Sequence, residues 1–179
     1  MEFAIIVASC TNGGIGYKGG IPWSSKLPLD MVRFRKITRN TSDDRINVLI
    51  MGRITWESLP KRPLPGRINI VVSKSMSLVN ANVDNLFIAR SLNHAHLIIK
   101  EIRNADKVFV TGGSELYKEA LLNHRYTRAY VTIIDCDFEC DTFFPIKQLV
   151  LRYDQEIIHE TGEENSIKYA FFEYNQTLI

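Results

Sequence analysis

An acidic residue near the start of a helical pattern is the position in this sequence most suggestive of chemistry. Asp30 is followed by Met31 and, one turn later, by Phe34, so a carboxylate shares a helix face with two apolar side chains. Such a carboxylate can accept two parallel hydrogen bonds from a bound ligand. An acid in the first turn also interacts favourably with the helix dipole, so the position alone leaves both interpretations open.

A pair of glycines marks a second candidate site. Gly112 and Gly113 follow the strand-like run VFVT and precede the helical pattern SELYKEAL. Backbone N–H groups of the turn and the N-terminus of the helix would therefore face one point, which favours binding of a phosphate-type anion. A Gly-Gly turn is a weak signal when it stands alone.

A further glycine pattern follows the first strand but lacks the setting of a Rossmann dinucleotide site. Gly14, Gly16 and Gly19 spell G-x-G-x-x-G, a fingerprint that requires a helix to begin at its third glycine and an acid about 20 residues later. Here GIPW follows, and the next strand ends in arginine. We therefore expect a mobile loop that covers a site.

The elements that must position these residues alternate between strands and helices. Eight short runs predict strands: FAIIVAS, INVLIMG, INIVVSK, LFIA, KVFVT, RAYVTIID, DQEIIHE and IKYAFFEY. Helices are predicted over residues 27–39, 55–58, 92–103 (behind a Ser91 cap) and 115–122. The order predicts a single α/β domain over residues 1–179. We expect a mostly parallel twisted sheet of about eight strands, about four flanking helices and an antiparallel C-terminal hairpin turning across 161–165.

Composition and charge narrow the class of protein. The 179 residues are 45% hydrophobic with a net charge of +2, which suits one compact domain and disfavours disorder. The basic residues at 33, 35, 36 and 39 sit at mixed helical spacing, which is typical of a solvated helix face, so no nucleic-acid partner is expected. The apolar start FAIIVA leads straight into glycine-rich sequence, which predicts a core strand rather than a signal peptide or membrane span.

The cysteines and histidines predict neither a disulfide framework nor a metal site. Cys10, Cys136 and Cys140 are an odd number, and the last two lack nearby histidines. His94 and His96 point to different faces of a helix. We therefore expect no metal and a reducing, cytoplasmic environment.

Six blocks in this order closely resemble dihydrofolate reductase: GIGYKGGIPW, LPLDMVRF, VLIMGRITWESLP, RPLPGRINIVVS, VFVTGGSELYKEAL and YVTIIDCDFECDTFFP. The resemblance extends from Ile5 to Pro145, and the IKYAFFEY run is similar to the family's last strand. It implies a cytoplasmic monomer that reduces 7,8-dihydrofolate to 5,6,7,8-tetrahydrofolate by hydride transfer from NADPH. It also implies inhibition by antifolates and a role in one-carbon metabolism and thymidylate synthesis.

The resemblance places the substrate around Asp30. This carboxylate would accept from the ring nitrogen and amino group of the pterin, and burial should raise its pKa. Thr132 would hydrogen-bond the carboxylate, Trp23 would hold an ordered water, and Arg67 would clamp the α-carboxylate of the substrate. The other implied substrate contacts, those of Ile6 and Thr111 being main-chain carbonyls, are Ile6, Val7, Ala8, Met31, Phe34, Leu59, Pro60, Leu64 and Thr111.

The same resemblance places the cofactor on the glycine turn, whose Gly112–Gly113 peptide is cis in the family. Ser73 and Lys74 end a strand where an NAD enzyme often has an acid, so NADPH is expected over NADH. They would bind the 2′-phosphate together with Arg53 and Arg90. The other implied cofactor contacts are Ala8, Ile15, Gly16, Gly19, Gly20, Ile21, Gly52, Ile54, Thr55, Ser58, Val72, Thr111, Ser114, Glu115, Leu116 and Tyr117.

The sequence departs from the family pattern at two positions, and two alternative functions remain open. Ile54 stands where the family usually has a basic residue, which predicts weaker cofactor binding, and Thr111 replaces the usual Val or Ile. One alternative is the related NADPH reductase of riboflavin synthesis, against which Trp23, Asp30 and Arg67 argue. The other is a non-catalytic nucleotide- or RNA-binding regulator, because a phosphate turn and basic surface residues would serve it as well.

Overall fold

The computed structural model of the protein describes residues 1–42, 44–77 and 83–177. Their strands are β1 (Phe3–Cys10), β2 (Gly14–Gly16), β3 (Ile46–Gly52), β4 (Ile68–Val72), β5 (Leu86–Ala89), β6 (Ala105–Val110), β7 (Tyr126–Asp135), β8 (Thr142–Phe143), β9 (Gln155–Glu164) and β10 (Ile167–Asn175). Their helices are α1 (Pro28–Arg39), α2 (Arg53–Ser58), α3 (Leu92–Lys100), α4 (Ser114–Leu122) and α5 (Ile146–Arg152).

An eight-stranded sheet forms the centre of the fold, in the order β5-β4-β3-β6-β1-β7-β10-β9. Its neighbours pair in parallel from β5 to β7, and β10 runs antiparallel to both β7 and β9. Strands β1 and β3 are mostly apolar, and β6 ends in the apolar run VFV, because packed side chains cover both faces of the sheet. The predicted α/β class, the strand number and the antiparallel end are confirmed.

The C-terminal hairpin turns later than predicted. Strand β9 continues through Glu164, and only Asn165 and Ser166, with φ of 50° and 62°, make the turn. Two residues with positive φ are typical of the tightest hairpins. The expected turn over 161–165 was wrong because the polar end of an exposed edge strand resembles a loop.

The helices differ from the prediction mainly at their ends. All four expected helices are present, but α2 begins at Arg53 and α3 ends at Lys100. Ser91 caps α3 as predicted, its hydroxyl accepting from the backbone N–H of His94 at 3.1 Å. Helix α5 was missed because it buries only Leu149 and so has little apolar periodicity. The short strands β2 and β8, which pair with each other, were missed as well.

The edge of the sheet at which the parallel strands end is the expected place for a ligand site. Helices α3 and α4 pack on one face of the sheet, and Trp56 of α2 and Phe34 of α1 pack on the other. The carboxyl ends of β3, β4 and β6 meet at one edge, the usual location of ligand sites in open α/β sheets. No helix in the described ranges is both long and apolar enough to span a membrane.

Candidate active site

A cleft of about 850 Å³ opens at the carboxyl ends of β3, β4 and β6. This volume is at the upper end of the range for ligand pockets. Every residue predicted to contact substrate or cofactor lines the cleft except Pro60 and Arg67. Pro60 is exposed, whereas Arg67 is buried behind Phe34, its Cζ lying 5.9 Å from the centre of the phenyl ring.

Asp30 is a buried carboxylate on α1 whose two oxygens both have partners. Oδ1 accepts from the Thr132 hydroxyl at 3.0 Å, and Oδ2 accepts from the indole Nε1 of Trp23 at 3.3 Å. Burial raises the pKa of Asp30, and these two hydrogen bonds and the charge of Arg33 oppose the rise. The predicted direction is confirmed. The indole of Trp23 contacts the carboxylate directly, a bond that the sequence did not predict.

Arg33 lines the cleft, although a solvated position was predicted for it. The basic cluster was expected to be solvated, and its members at 35, 36 and 39 are exposed. Arg33 is half-buried, with its Cζ 4.3 Å from the centre of the Phe171 ring on β10. A long apolar stem and a flat guanidinium suit such a position. The signal that could have found it is its spacing, one helical turn after Asp30.

Arg67 is held rigidly just before β4. Its Nη1 donates to the Thr38 hydroxyl at 2.9 Å and its Nε donates to the Pro65 carbonyl at 3.2 Å. Burial, followed by the charges of Arg39 and Arg35, lowers the pKa of Arg67 to about 10. The guanidinium is therefore still a cation at neutral pH.

The glycine turn joins two strand ends to the start of α4. The Gly112–Gly113 peptide is cis, as the resemblance implied, and the Gly112 carbonyl accepts from the N–H of Gly52 at 2.7 Å. A side chain at Gly113 would come within 3.5 Å of the Thr55 hydroxyl. The turn and the first residues of α4 face the cleft, and backbone N–H groups at the start of a helix are suited to an anion.

Tyr117 of α4 lies between the end of β1 and the glycine turn. Its hydroxyl donates to the Ile6 carbonyl at 2.9 Å, and its ring lies within 3.3 Å of the position that a side chain at Gly112 would take. A carbonyl oxygen has two lone pairs. Ile6 can therefore accept a second hydrogen bond from a ligand.

The basic residues after β4 are organised by Arg90. Its Nη1 donates to the carbonyls of Ser73, Lys74 and Met76 at 2.9, 3.1 and 2.7 Å. Arg53 donates to both carboxylate oxygens of Glu57 at 3.0 and 2.8 Å. The Ser73 hydroxyl accepts from the N–H of Met76 at 3.0 Å, so three of the four side chains predicted to bind a 2′-phosphate have protein partners in this structure.

The glycine-rich loop is tied to the short strand β8. The N–H of Lys18 donates to Asp141 Oδ2 at 2.7 Å, and the N–H of Asp141 donates to the Gly16 carbonyl at 2.9 Å. The lining residues that were not predicted as ligand contacts are Arg33, Met51, Ser75, Ser91, Glu119 and Thr142. Across the described ranges, no cluster of His, Cys, Asp or Glu could hold a metal ion.

The fold and the cleft define an α/β protein in which a buried carboxylate and a cis glycine-glycine turn line one cleft. A family model described as dihydrofolate reductase matches residues 2–176. The chain is 37% identical to the dihydrofolate reductase of Aedes albopictus (98% of this chain, 97% of that protein) and 36% identical to that of Drosophila melanogaster (96% of each). It is 38% identical to the bifunctional dihydrofolate reductase-thymidylate synthase of Daucus carota, of which it covers 33%. The chain belongs to the dihydrofolate reductase family.

Proposed function

We propose that NADPH is the hydride donor with which this chain reduces 7,8-dihydrofolate to 5,6,7,8-tetrahydrofolate. Reduction of dihydrofolate is the activity of the family to which the chain belongs. The observation that carries the proposal is that the buried Asp30 faces the same cleft as the turn at Gly112 and Gly113. One cleft can thus hold a pterin and a dinucleotide side by side.

The substrate half of the cleft fits a pterin with a glutamyl tail. Asp30 would accept from the ring nitrogen and amino group of the pterin, and Thr132 and Trp23 would hold the carboxylate in place. Phe34 and Leu59 would contact the rest of the folate. Arg67 would clamp the α-carboxylate of that tail through its planar guanidinium.

The cofactor half fits a dinucleotide that carries a 2′-phosphate. The backbone donors at Gly113 and Ser114 would hold the pyrophosphate. Ser73, Lys74 and Arg90 would surround the 2′-phosphate, which supports NADPH over NADH. When bound, the cofactor would supply a hydride to the carbon of the pterin C=N bond, and solvent would supply the proton to the adjacent nitrogen.

The residues of this chain act by orientation and exclusion of water. Asp30 fixes and polarises the ring, and the apolar walls Ile6, Met31 and Phe34 keep the reacting atoms dry. We also infer that the protein acts as a cytoplasmic monomer, that antifolates occupy the pterin site, and that the product serves one-carbon metabolism and thymidylate synthesis.

The test is a spectrophotometric assay that follows nicotinamide absorbance after dihydrofolate is added to protein and NADPH. We expect NADPH oxidation with dihydrofolate and much slower oxidation of NADH. Oxidation only with the phosphorylated pyrimidine of riboflavin synthesis would favour that alternative. NADPH binding without turnover on either substrate would favour a non-catalytic regulator.

A further inference from the structure

Arg33 reaches the active-site carboxylate through a second side chain. Its Nη1 donates to the Thr132 hydroxyl at 3.1 Å, and that hydroxyl donates to Asp30 Oδ1 at 3.0 Å. Its Nη2 donates to the Phe172 carbonyl at 3.2 Å, and its guanidinium lies over the Phe171 ring. Contacts with both β7 and β10 therefore fix the guanidinium.

The direction of the Thr132 proton follows from this chain of hydrogen bonds. A guanidinium has only donors, whereas a hydroxyl has one proton and two lone pairs. Because the guanidinium cannot accept, the Thr132 hydroxyl cannot donate to Arg33, and its single proton is donated to Asp30 Oδ1. A hydroxyl that donates to the carboxylate stabilises its ionised form over the neutral acid.

The positive charge of Arg33 acts in the same direction. Arginine stays protonated in proteins, and the charge of Arg33 opposes the burial that raises the pKa of Asp30. The charged and titratable groups that face Arg33 are Asp30 on its own helix, Tyr130 on β7, Glu160 on β9 and Glu173 on β10. Tyr117 of α4 also interacts with Asp30.

We propose that Arg33 is a positioning residue for the reaction, because it points the Thr132 proton at Asp30 and so sets the pH range in which Asp30 is ionised. The proposal rests on the proposed function, in which Asp30 binds the pterin. It assigns Arg33 no contact with the substrate. It predicts that replacing Arg33 changes the pH dependence of the reaction more than it changes the stability of the fold.

The experiment titrates Asp30 by NMR in unliganded protein labelled with ¹³C at the aspartate carboxyl groups. Asp30→Asn identifies the resonance. We expect an upward shift of the Asp30 midpoint in Arg33→Met and a smaller one in Arg33→Lys, which keeps the charge. Lys36→Met, which removes an exposed cation from the same helix, should leave the midpoint in place. The limb of the kcat/KM profile that reports Asp30 should move upward by the same amount.

A second background separates orientation from charge. In Thr132→Val the hydroxyl is gone, so Arg33→Met should shift the Asp30 midpoint less than it does in the native background. Equal shifts in the two backgrounds would overturn the role of the hydroxyl, and an unmoved midpoint in a folded Arg33→Met or Arg33→Lys protein would overturn the whole proposal. The titration needs no turnover. Native activity of Asp30→Asn would therefore refute the proposed function while leaving the coupling measurable.

Discussion

The Thr132 hydroxyl on β7 donates to Asp30 Oδ1 on α1 across 102 positions of the chain. This bond links the first helix to the strand at which the sheet changes from parallel to antiparallel pairing. Asp30 therefore points into the cleft only when both elements are in place. None of the ion pairs found in the described ranges includes Asp30, so its burial as an anion has a cost in stability that substrate binding can offset.

That cost gives a prediction for stability. Burial raises the folded-state pKa of Asp30. The neutral acid therefore contributes to the free energy of unfolding below the unfolded pKa, and this contribution is lost as pH rises through the folded pKa. Asp30→Asn removes the buried charge. We expect a higher Tm at mildly alkaline pH, by about 2–4 °C per kcal/mol, and no gain in acid. Thermal unfolding of unliganded protein measures this, with the exposed Glu101→Gln as control; a lower Tm of Asp30→Asn in alkali would contradict it.

Arg67→Leu should weaken binding of the glutamyl tail alone. Hydrogen bonds to charged groups are worth about 1.5–3 kcal/mol each, so KM for dihydrofolate should rise about 10- to 100-fold. A dihydropterin without the tail should be reduced equally well by variant and native protein, and it serves as the internal control. An equal loss with both substrates would mean that Arg67 supports the fold around Thr38 instead of binding substrate.

Ile54→Lys should restore a cationic contact with the cofactor. Ile54 lines the cleft with 64% of its surface exposed, so a lysine there would lie in solvent near the phosphates. An exposed ion pair contributes about 0.2–1 kcal/mol, which predicts NADPH binding up to about fivefold tighter. Fluorescence titration of NADPH at low and high salt measures this, and the gain should fade with salt. Ile54→Leu is the matched control. Unchanged NADPH affinity of Ile54→Lys at low salt would refute the claim that Ile54 costs the protein a cationic contact with the cofactor.

His96 should make the protein sensitive to mild acid. Its Nε2 shares a 2.8 Å hydrogen bond with the Tyr126 hydroxyl, and burial, followed by the charges of Arg125 and Lys100, lowers its pKa to about 4. The stability contribution is present above the unfolded pKa of about 6.5 and is lost as pH falls towards the folded value.

Urea unfolding tests this acid sensitivity. Between about pH 7 and about pH 5, the linkage predicts a loss of about 2 kcal/mol of unfolding free energy. His96→Gln, which keeps a hydrogen-bonding group, should lose much less over the same interval. The exposed His124→Gln should behave like the native protein. An identical pH dependence of all three proteins would show that His96 does not titrate differently on folding.

Position 14 should tolerate only glycine, because the side chain of Cys140 occupies the space that a larger residue would need. A Cβ at Gly14 would lie 2.5 Å from Cys140 Sγ and 2.8 Å from its Cβ, closer than real contacts allow. Gly14→Ala should therefore destabilise the protein by about 1–3 kcal/mol, as overpacking does. Adding Cys140→Gly should recover part of that loss. No recovery in the double variant would place the requirement for glycine in the backbone of β2 instead.

The parts of the site that the sequence predicted are those fixed by local blocks. Asp30, Thr132 and the Gly112–Gly113 turn each lie in a block that combines an element boundary with a distinctive residue type, so their places in the cleft followed from the resemblance. The G-x-G-x-x-G pattern was rightly separated from a Rossmann site, because no helix begins at Gly19.

The parts that were missed depend on contacts between distant elements. The pattern of its own helix predicts a solvated Arg33. The half-buried position of its guanidinium is favourable because the ring of Phe171 on β10 packs against it. Helix α5 and the late hairpin turn lie at exposed positions, where hydrophobic periodicity is weak. Sequence patterns predict which face of an element is buried, but not which polar side chains a neighbouring strand will accept.

The most direct test of the central claim measures Asp30→Asn at neutral pH in two ways. Its NADPH affinity should equal that of the native protein, because the dinucleotide half of the cleft is untouched. Its kcat/KM for dihydrofolate should fall about 100-fold or more, because charge-assisted hydrogen bonds to the pterin are lost. Native turnover in a variant that binds NADPH normally would contradict the assignment of Asp30 as the pterin anchor.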